Sequence, residues 1–256
     1  VTITLHHQSY GAGRPVLILH GLFGSSRNWT AFARRLSASH QVVTVDLRNH
    51  GNSGHADTMS YPELAADIRA FMLARGFATA SLIGHSLGGK VAMCFALTHT
   101  TLVERLVVLD IAPVAYRNEY QALIESMAAL PLAELTSRRH ADELLAWSIP
   151  DAQLRQFLLQ NLVQEGGCYR WRINLNVFKN SLAELGRFPA FAAGGAHAGP
   201  ALFLGGSASD YLHPRHNQAI GRYFTNAEIR YVENAGHWLH IDQPQAVLDR
   251  ITAFLS

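Results

Sequence analysis

Short apolar runs that break off in a glycine or a polar residue, separated by stretches of helical periodicity, recur along this chain and leave few architectures open. Pro15 to Leu19 stops at His20-Gly21, Val42 to Val45 ends in Asp46, Ala80 to Ile83 runs into Gly84, and Leu106 to Leu109 ends at Asp110. Such short, uninterrupted, β-branched runs are expected of strands buried on both faces, the situation in a parallel sheet covered by helices. Between them, Trp29 to Leu36 has a helical period, and Tyr61 to Ala74 places Leu64, Ile68, Phe71 and Met72 on one side with Pro62 in its first turn. Val91, Met93, Phe95 and Leu97 mark a further helix. The expectation is an α/β fold with a mostly parallel central sheet of about eight strands flanked by helices. Its first strand is expected at Val1 to Leu5, where apolar and polar residues alternate.

The rhythm stops near Pro113. From there to about Gly199 the chain is helical in pattern, with Leu123, Met127 and Leu130 in one stretch and Leu154, Phe157 and Leu158 in another. It resumes with a strand at Ala201 to Leu204, a helix near His216 to Phe224, a strand at Glu228 to Val232 and a final helix at Pro244 to Leu255. Residues 113–197 are therefore expected to form a helical cap inserted into a core made of 1–112 and 198–256. The segment Ala192 to Gly199 reads as a loop of small residues. A length of 256 residues suits one such domain.

Composition removes several function classes. Hydrophobic residues make up 48% and charged residues 16% of the chain, which suits a globular protein with a sizeable core and not a disordered one. Lys and Arg number 21 against 19 Asp and Glu, with no long run of either sign, so no nucleic-acid partner is expected. No stretch is apolar enough to span a membrane, and the N-terminus carries no secretory signal pattern. Cys94 and Cys168 stand in unrelated contexts, so no disulfide is expected and a cytoplasmic location fits.

Gly84-His85-Ser86-Leu87-Gly88 matches G-x-S-x-G between an expected strand and an expected helix, the setting that a nucleophile on a tight strand-to-helix turn requires. Small residues on either side let the backbone turn sharply while the serine hydroxyl projects alone. The same stretch, Gly84 to Lys90, spells the first letters of a phosphate-binding loop, and Val107 to Asp110 imitates its acidic partner strand. Val91 stands where that loop needs a magnesium-binding hydroxyl, which argues against a nucleotide site.

A serine needs a base to take its proton. Among the chain's 14 histidines, His237 in Asn234-Ala235-Gly236-His237-Trp238 follows the last expected strand, where such folds supply the base. The carboxylate that would orient it is open between Asp110, which ends the strand after the nucleophile helix, and Asp210, which follows the next strand. Asp46, also at a strand end, reads as structural, tying down the loop from Arg48 to Gly54. An oxyanion would be held by the backbone N–H groups of Leu87 and of Leu22, the latter in His20-Gly21-Leu22-Phe23-Gly24. His20, Phe23, His85, Trp171 and Trp238 are candidate substrate contacts, and Tyr116, Tyr120, Met127, Trp147 and Phe157 could join an acyl pocket, although core packing accounts for each equally simply. His6-His7 and His213-x-x-His216 offer no third ligand for a metal, and the chemistry calls for no cofactor.

Taken together these residues resemble the α/β-hydrolase superfamily over nearly the whole chain, and more narrowly the bacterial YbfF-type esterases and their mitochondrial relatives. The narrower likeness rests on Gly84 to Lys90, on Leu109-Asp110-Ile111-Ala112-Pro113-Val114, on Trp171-Arg172-Ile173-Asn174-Leu175 in the expected cap and on Asn234 to Trp238. The resemblance implies the α/β-hydrolase fold and favours Asp110 as the acid. It implies a serine hydrolase with a small-molecule ester or acyl-CoA thioester substrate. Ser86 argues against the aspartate-nucleophile dehalogenases and epoxide hydrolases of the fold. Carbon-carbon bond hydrolases, perhydrolases and low-turnover ligand receptors remain as alternatives.

Overall fold

The computed structural model describes residues 2–117, 120–191 and 195–256. Val1, two residues of the expected cap (118–119) and the first part of the small-residue loop (192–194) lie outside the described residues.

The central sheet is built from β1 (His7–Tyr10), β2 (Pro15–Leu19), β3 (Gln41–Val45), β4 (Ala80–His85), β5 (Val103–Leu109), and, after the inserted segment, β8 (Ala201–Gly206) and β9 (Ala227–Val232). Among the described residues it has seven strands, close to the eight or so expected, in the order β1-β3-β2-β4-β5-β8-β9. All neighbours are parallel except β1, which runs antiparallel along β3 with Gln8 opposite Thr44. The strand expected at Val1 to Leu5 is displaced to His7–Tyr10. The reason is visible in its backbone partners: the Ile3 N–H donates to Asp67, the His6 N–H to the Ser53 hydroxyl, and Thr4 accepts from Gly54, so this stretch is tied to a loop and a helix and not to a strand.

Alternation along the strands feeds two separate cores. Leu17, Leu19, Val43, Leu82, Leu106 and Val108 point to one face, under α2 (Tyr61–Ala74), α3 (Leu87–Thr98) and α8 (Asn217–Tyr223). Val16, Ile18, Val42, Ile83, Val107 and Leu109 point to the other, under α1 (Thr30–Leu36), the short α9 (Leu239–Asp242) and the C-terminal helix α10 (Pro244–Leu255). The register is fixed because a slip of one residue would exchange the two sets. Helix α2 begins where the sequence indicates: the Ser60 hydroxyl accepts from the Glu63 N–H while the Glu63 carboxylate accepts from the Ser60 N–H.

Between β5 and β8 lie α4 (Gln121–Ala128), α5 (Arg138–Leu145), α6 (Ala152–Leu159), β6 (Leu162–Glu165), β7 (Cys168–Trp171) and α7 (Leu175–Gly186). The expectation of a purely helical insertion is corrected here, because β6 and β7 form an antiparallel hairpin. Gly166 and Gly167 are its two-residue turn, with φ of 59° and 85°, a backbone that two glycines adopt without steric cost. The buried apolar residues of the insertion, among them Ile124, Met127, Leu158 and Phe178, join the same core as α2 and α3, so the segment sits over the C-terminal edge of the sheet.

Candidate active site

Ser86 leaves β4 with φ 52° and ψ −115°, a left-handed conformation that is costly for a side-chain-bearing residue, and stands immediately before α3. The turn is held by the Ser86 N–H donating to the Leu109 carbonyl and by the Lys90 N–H donating to the Ser86 carbonyl. A Cβ on Gly84 would collide with the Gly88 carbonyl, and one on Gly88 with the Leu19 carbonyl. The glycines on either side of the serine are thus required by the close approach of backbone, as the motif suggests.

His237 is carried by the loop after β9. Its Nδ1 lies 2.7 Å from Asp110 Oδ2, and Asp110 is fully buried at the end of β5 with φ 50°. Asp110 also accepts from the Gly206 N–H at 3.0 Å through Oδ1 and from the Ser209 hydroxyl through Oδ2. With acceptor atoms committed on both oxygens, this carboxylate holds the imidazole with its Nδ1 protonated and its Nε2 free to take a proton. Asp210 is exposed and shares an open cavity with His237, but among the described residues it makes no hydrogen bond to the imidazole; its carbonyl accepts from Arg215. Of the two acids left open by the strand pattern, only Asp110 meets the histidine.

The ring of Tyr211 stacks on His237 at 4.1 Å, and the His85 Nε2 donates to the His237 carbonyl at 2.8 Å. Burial pushes the pKa of His85 well below the usual histidine range, with His237 and His240 adding to the effect. His240, stacked on Trp29 and fully enclosed, is driven down by burial to about 3. Burial thus keeps the neighbouring His85 and His240 neutral, and the carboxylate bonded to His237 is Asp110. No hydrogen bond joins Ser86 to His237 among the described residues, but both line the same cavity, and such contacts commonly tighten only in the substrate complex.

The Leu22 loop has its own support. His20 Nε2 accepts from the Leu47 N–H at 3.0 Å, which leaves Nδ1 as the donor to the Gly21 carbonyl at 2.8 Å. That carbonyl and the Leu22 N–H belong to one peptide plane, so anchoring the first aims the second. His20 thus ties this loop to the residue after Asp46, besides lining the second cavity at Ser86.

Two narrow cavities of about 50 and 60 Å³ meet at Ser86, and Leu22 and Tyr120 are common to both. The first runs down between Leu87, Tyr61, Tyr116, Leu182 and Lys90. The second is lined by His20, Phe23, His85, His237, Trp238 and Phe157, so most of the candidate substrate contacts are gathered there. Trp171 is not: its indole N–H donates to the Met127 carbonyl and its ring packs inside the insertion. Met127 is buried core and Trp147 is 93% exposed, so neither lines a cavity with Ser86.

Lys90 was set aside in the sequence as part of a misleading phosphate motif, and the structure gives it a different setting. Its ammonium is buried under the Tyr116 ring at 4.9 Å and donates to the carbonyls of Leu185, Gly186 and Arg187 at the end of α7. It thereby ties α3 to the inserted segment, while burial lowers its pKa to about 7. The partners Ser209 and Gly206 of Asp110, and the stacked Tyr211, were equally invisible in the sequence, since their part depends on where β8 ends.

Asp46 is structural, as the sequence suggested: its carboxylate accepts from the N–H groups of Ser26 and Asn52 and pairs with His6. Among the described residues no group of three or more His, Cys, Asp or Glu side chains is arranged to hold a metal ion. No helix among them is long and apolar enough to cross a membrane.

Comparison with known proteins agrees with this fold. The chain is 40% identical to the mouse sn-1-specific diacylglycerol lipase ABHD11, over 94% of this chain and 80% of the mouse protein. It is 31% identical to esterase YbfF of Escherichia coli, over 94% and 93% of the two chains. A solved structure described as a marine microorganism esterase superposes with a TM-score of 0.96 at 35% identity, covering 99% of this chain and all of that one. The alpha/beta hydrolase family model matches residues 16–250, and the chain belongs to that family.

Proposed function

We propose that the protein is a serine hydrolase that cleaves carboxylic esters, and thioesters of the same acyl groups, through an acyl-enzyme on Ser86. The observation that carries this reading is the convergence of Ser86 and His237 on one cavity, with Asp110 bound to the far side of the imidazole. The names of the relatives, esterases and diacylglycerol lipases, support the same reaction class.

In this mechanism the Ser86 hydroxyl oxygen attacks the acyl carbonyl carbon and its proton passes to His237 Nε2. The carbonyl oxygen becomes an oxyanion that accepts from the Leu22 and Leu87 N–H groups, and Asp110 balances the imidazolium. The bond to the leaving oxygen or sulfur breaks as His237 returns the proton to it. Water then attacks the acyl-enzyme with His237 again as base, releasing the acid and restoring Ser86.

The two cavities support an assignment of substrate parts. The leaving group must lie beside the group that protonates it, and of the two cavities that meet at Ser86 the second is the one lined by His237. The first cavity then receives the acyl chain, and its narrow end against Lys90, Tyr61 and Leu185 favours short to medium chains. The test is hydrolysis of p-nitrophenyl esters graded from acetate to palmitate, with labelling by a fluorophosphonate. Turnover is expected to fall off towards palmitate and to drop by at least about 10⁴-fold in Ser86→Ala. Unchanged turnover in that variant would overturn the scheme.

A further inference from the structure

The motif Trp171-Arg172-Ile173-Asn174-Leu175 has a structural task for every member but one. Trp171 bonds to Met127, Ile173 is buried, and Asn174 caps α7 through the Val177 N–H while its own N–H donates to Asn49. Leu175 opens α7. The backbone of Arg172 is used on both sides, donating to Asn161 and accepting from His55, yet its guanidinium has no carboxylate or carbonyl partner among the described residues.

Strand alternation explains where that guanidinium goes. Tyr169 and Trp171 turn into the apolar core, so Arg170 and Arg172 share the opposite side. Both line a polar groove of about 390 Å³ between the β6–β7 hairpin and the loop after β3, together with Asn52, His55 and Gln164. Glu165 at the rim pairs with Arg170, which leaves Arg172 as the uncompensated cation of the groove. Its pKa is lowered, first by burial and then by the nearby charges of Arg27, Arg170 and Arg138, which outweigh the opposing pull of Asp46. A half-buried guanidinium crowded by like charges is costly unless an anion joins it.

We propose that this groove binds a phosphate group, with Arg172 as its principal donor and His55, Asn52 and Gln164 as polar neighbours. A guanidinium presents its N–H groups as a planar fork that matches two phosphate oxygens, whereas the open, polar groove offers little to an apolar ligand. The phosphate is carried either by a soluble phosphorylated molecule or by a lipid headgroup at a membrane surface. The site does not depend on the hydrolase reading, because no residue of the Ser86 cavities lines it.

Calorimetric titration of the whole protein with pyrophosphate at low salt tests the proposal, alongside cosedimentation with phosphatidylcholine vesicles that contain or lack phosphatidic acid. Arg172→Gln is expected to weaken pyrophosphate binding about tenfold or more, as loss of a charge-assisted contact implies. Arg139→Gln, which removes the same charge from an exposed position on α5, is expected to change it less than about twofold. Equal binding by the parent and Arg172→Gln, or no binding by the parent, overturns the proposal. Arg172-dependent binding to the phosphatidic acid vesicles assigns the phosphate to a lipid; binding of pyrophosphate without the vesicles assigns it to a soluble ligand. Ester turnover by Arg172→Gln is expected to match the parent, which separates failure of this site from failure of the proposed activity.

Discussion

Replacing Asp110 with asparagine changes little in volume but reverses one hydrogen bond, and its effect can be worked out from the atoms around it. Oδ2 accepts from His237 Nδ1 at 2.7 Å and from Ser209, while Oδ1 accepts from the Gly206 N–H. An asparagine can keep its oxygen towards Gly206, but its amide then presents N–H to a ring nitrogen that is itself protonated. The conflict is relieved when the imidazole moves its proton to Nε2, the atom that should receive the proton of Ser86. In proteases with the same constellation this inversion lowers kcat by about 10⁴-fold, equivalent to about 5.5 kcal/mol of transition-state stabilisation. Initial rates on p-nitrophenyl butyrate should show that loss in Asp110→Asn. Asp210→Asn, a change at an exposed side chain, should stay within about twofold of the parent. An unfolding midpoint for each variant checks that both are folded. A folded Asp110→Asn that keeps more than about a tenth of the activity, or a folded Asp210→Asn that loses most of it, would refute the reasoning.

Two further outcomes follow from packing and burial. Gly88→Ala must push a methyl against the Leu19 carbonyl and is expected to cost more than about 3 kcal/mol, whereas Gly221→Ala points into open space on α8 and should gain up to about 1 kcal/mol; urea unfolding of both measures the contrast. Burial keeps His240 neutral in the folded protein down to about pH 3, while in the unfolded chain it takes up a proton near the ordinary histidine value of about 6.5. The unfolded state therefore holds more protons between those values, and stability falls as pH drops through that window. In His240→Phe, which keeps an aromatic ring against Trp29, urea midpoints taken between pH 7 and pH 4 should decline less steeply than in the parent.

The parts of the fold that could be read from sequence are those decided by local chemistry. Pro15–Leu19 and Gln41–Val45 are buried on both faces, and α2 announces itself through Ser60, Pro62 and Glu63. The first strand was misplaced because apolar and polar residues alternate from Val1 to Leu5 but not along His7–Tyr10, and what draws the earlier stretch away from the sheet is a pair of distant partners, Asp67 for Ile3 and Gly54 for Thr4. The hairpin of the insertion hid behind helical neighbours, although Gly166-Gly167 between strand-like residues was a usable sign. At the site, Ser86 and His237 stood in recognisable settings, but the choice between Asp110 and Asp210 turns on which strand end reaches the imidazole. Lys90 and Tyr211 gain their meaning only from the three-dimensional arrangement.

The meeting of two cavities at Ser86 has a kinetic consequence under the proposed mechanism. Once the first bond has broken, the alcohol occupies the chamber beside His237 and the acyl group the one above Lys90. Departure of the first product thus empties the space next to the base, through which the next nucleophile must arrive. Water and a second alcohol would compete for that same vacancy, so the partition between hydrolysis and acyl transfer is governed by the walls of one chamber, Phe157 and Trp238 among them, while the length of the acyl group is governed by the other.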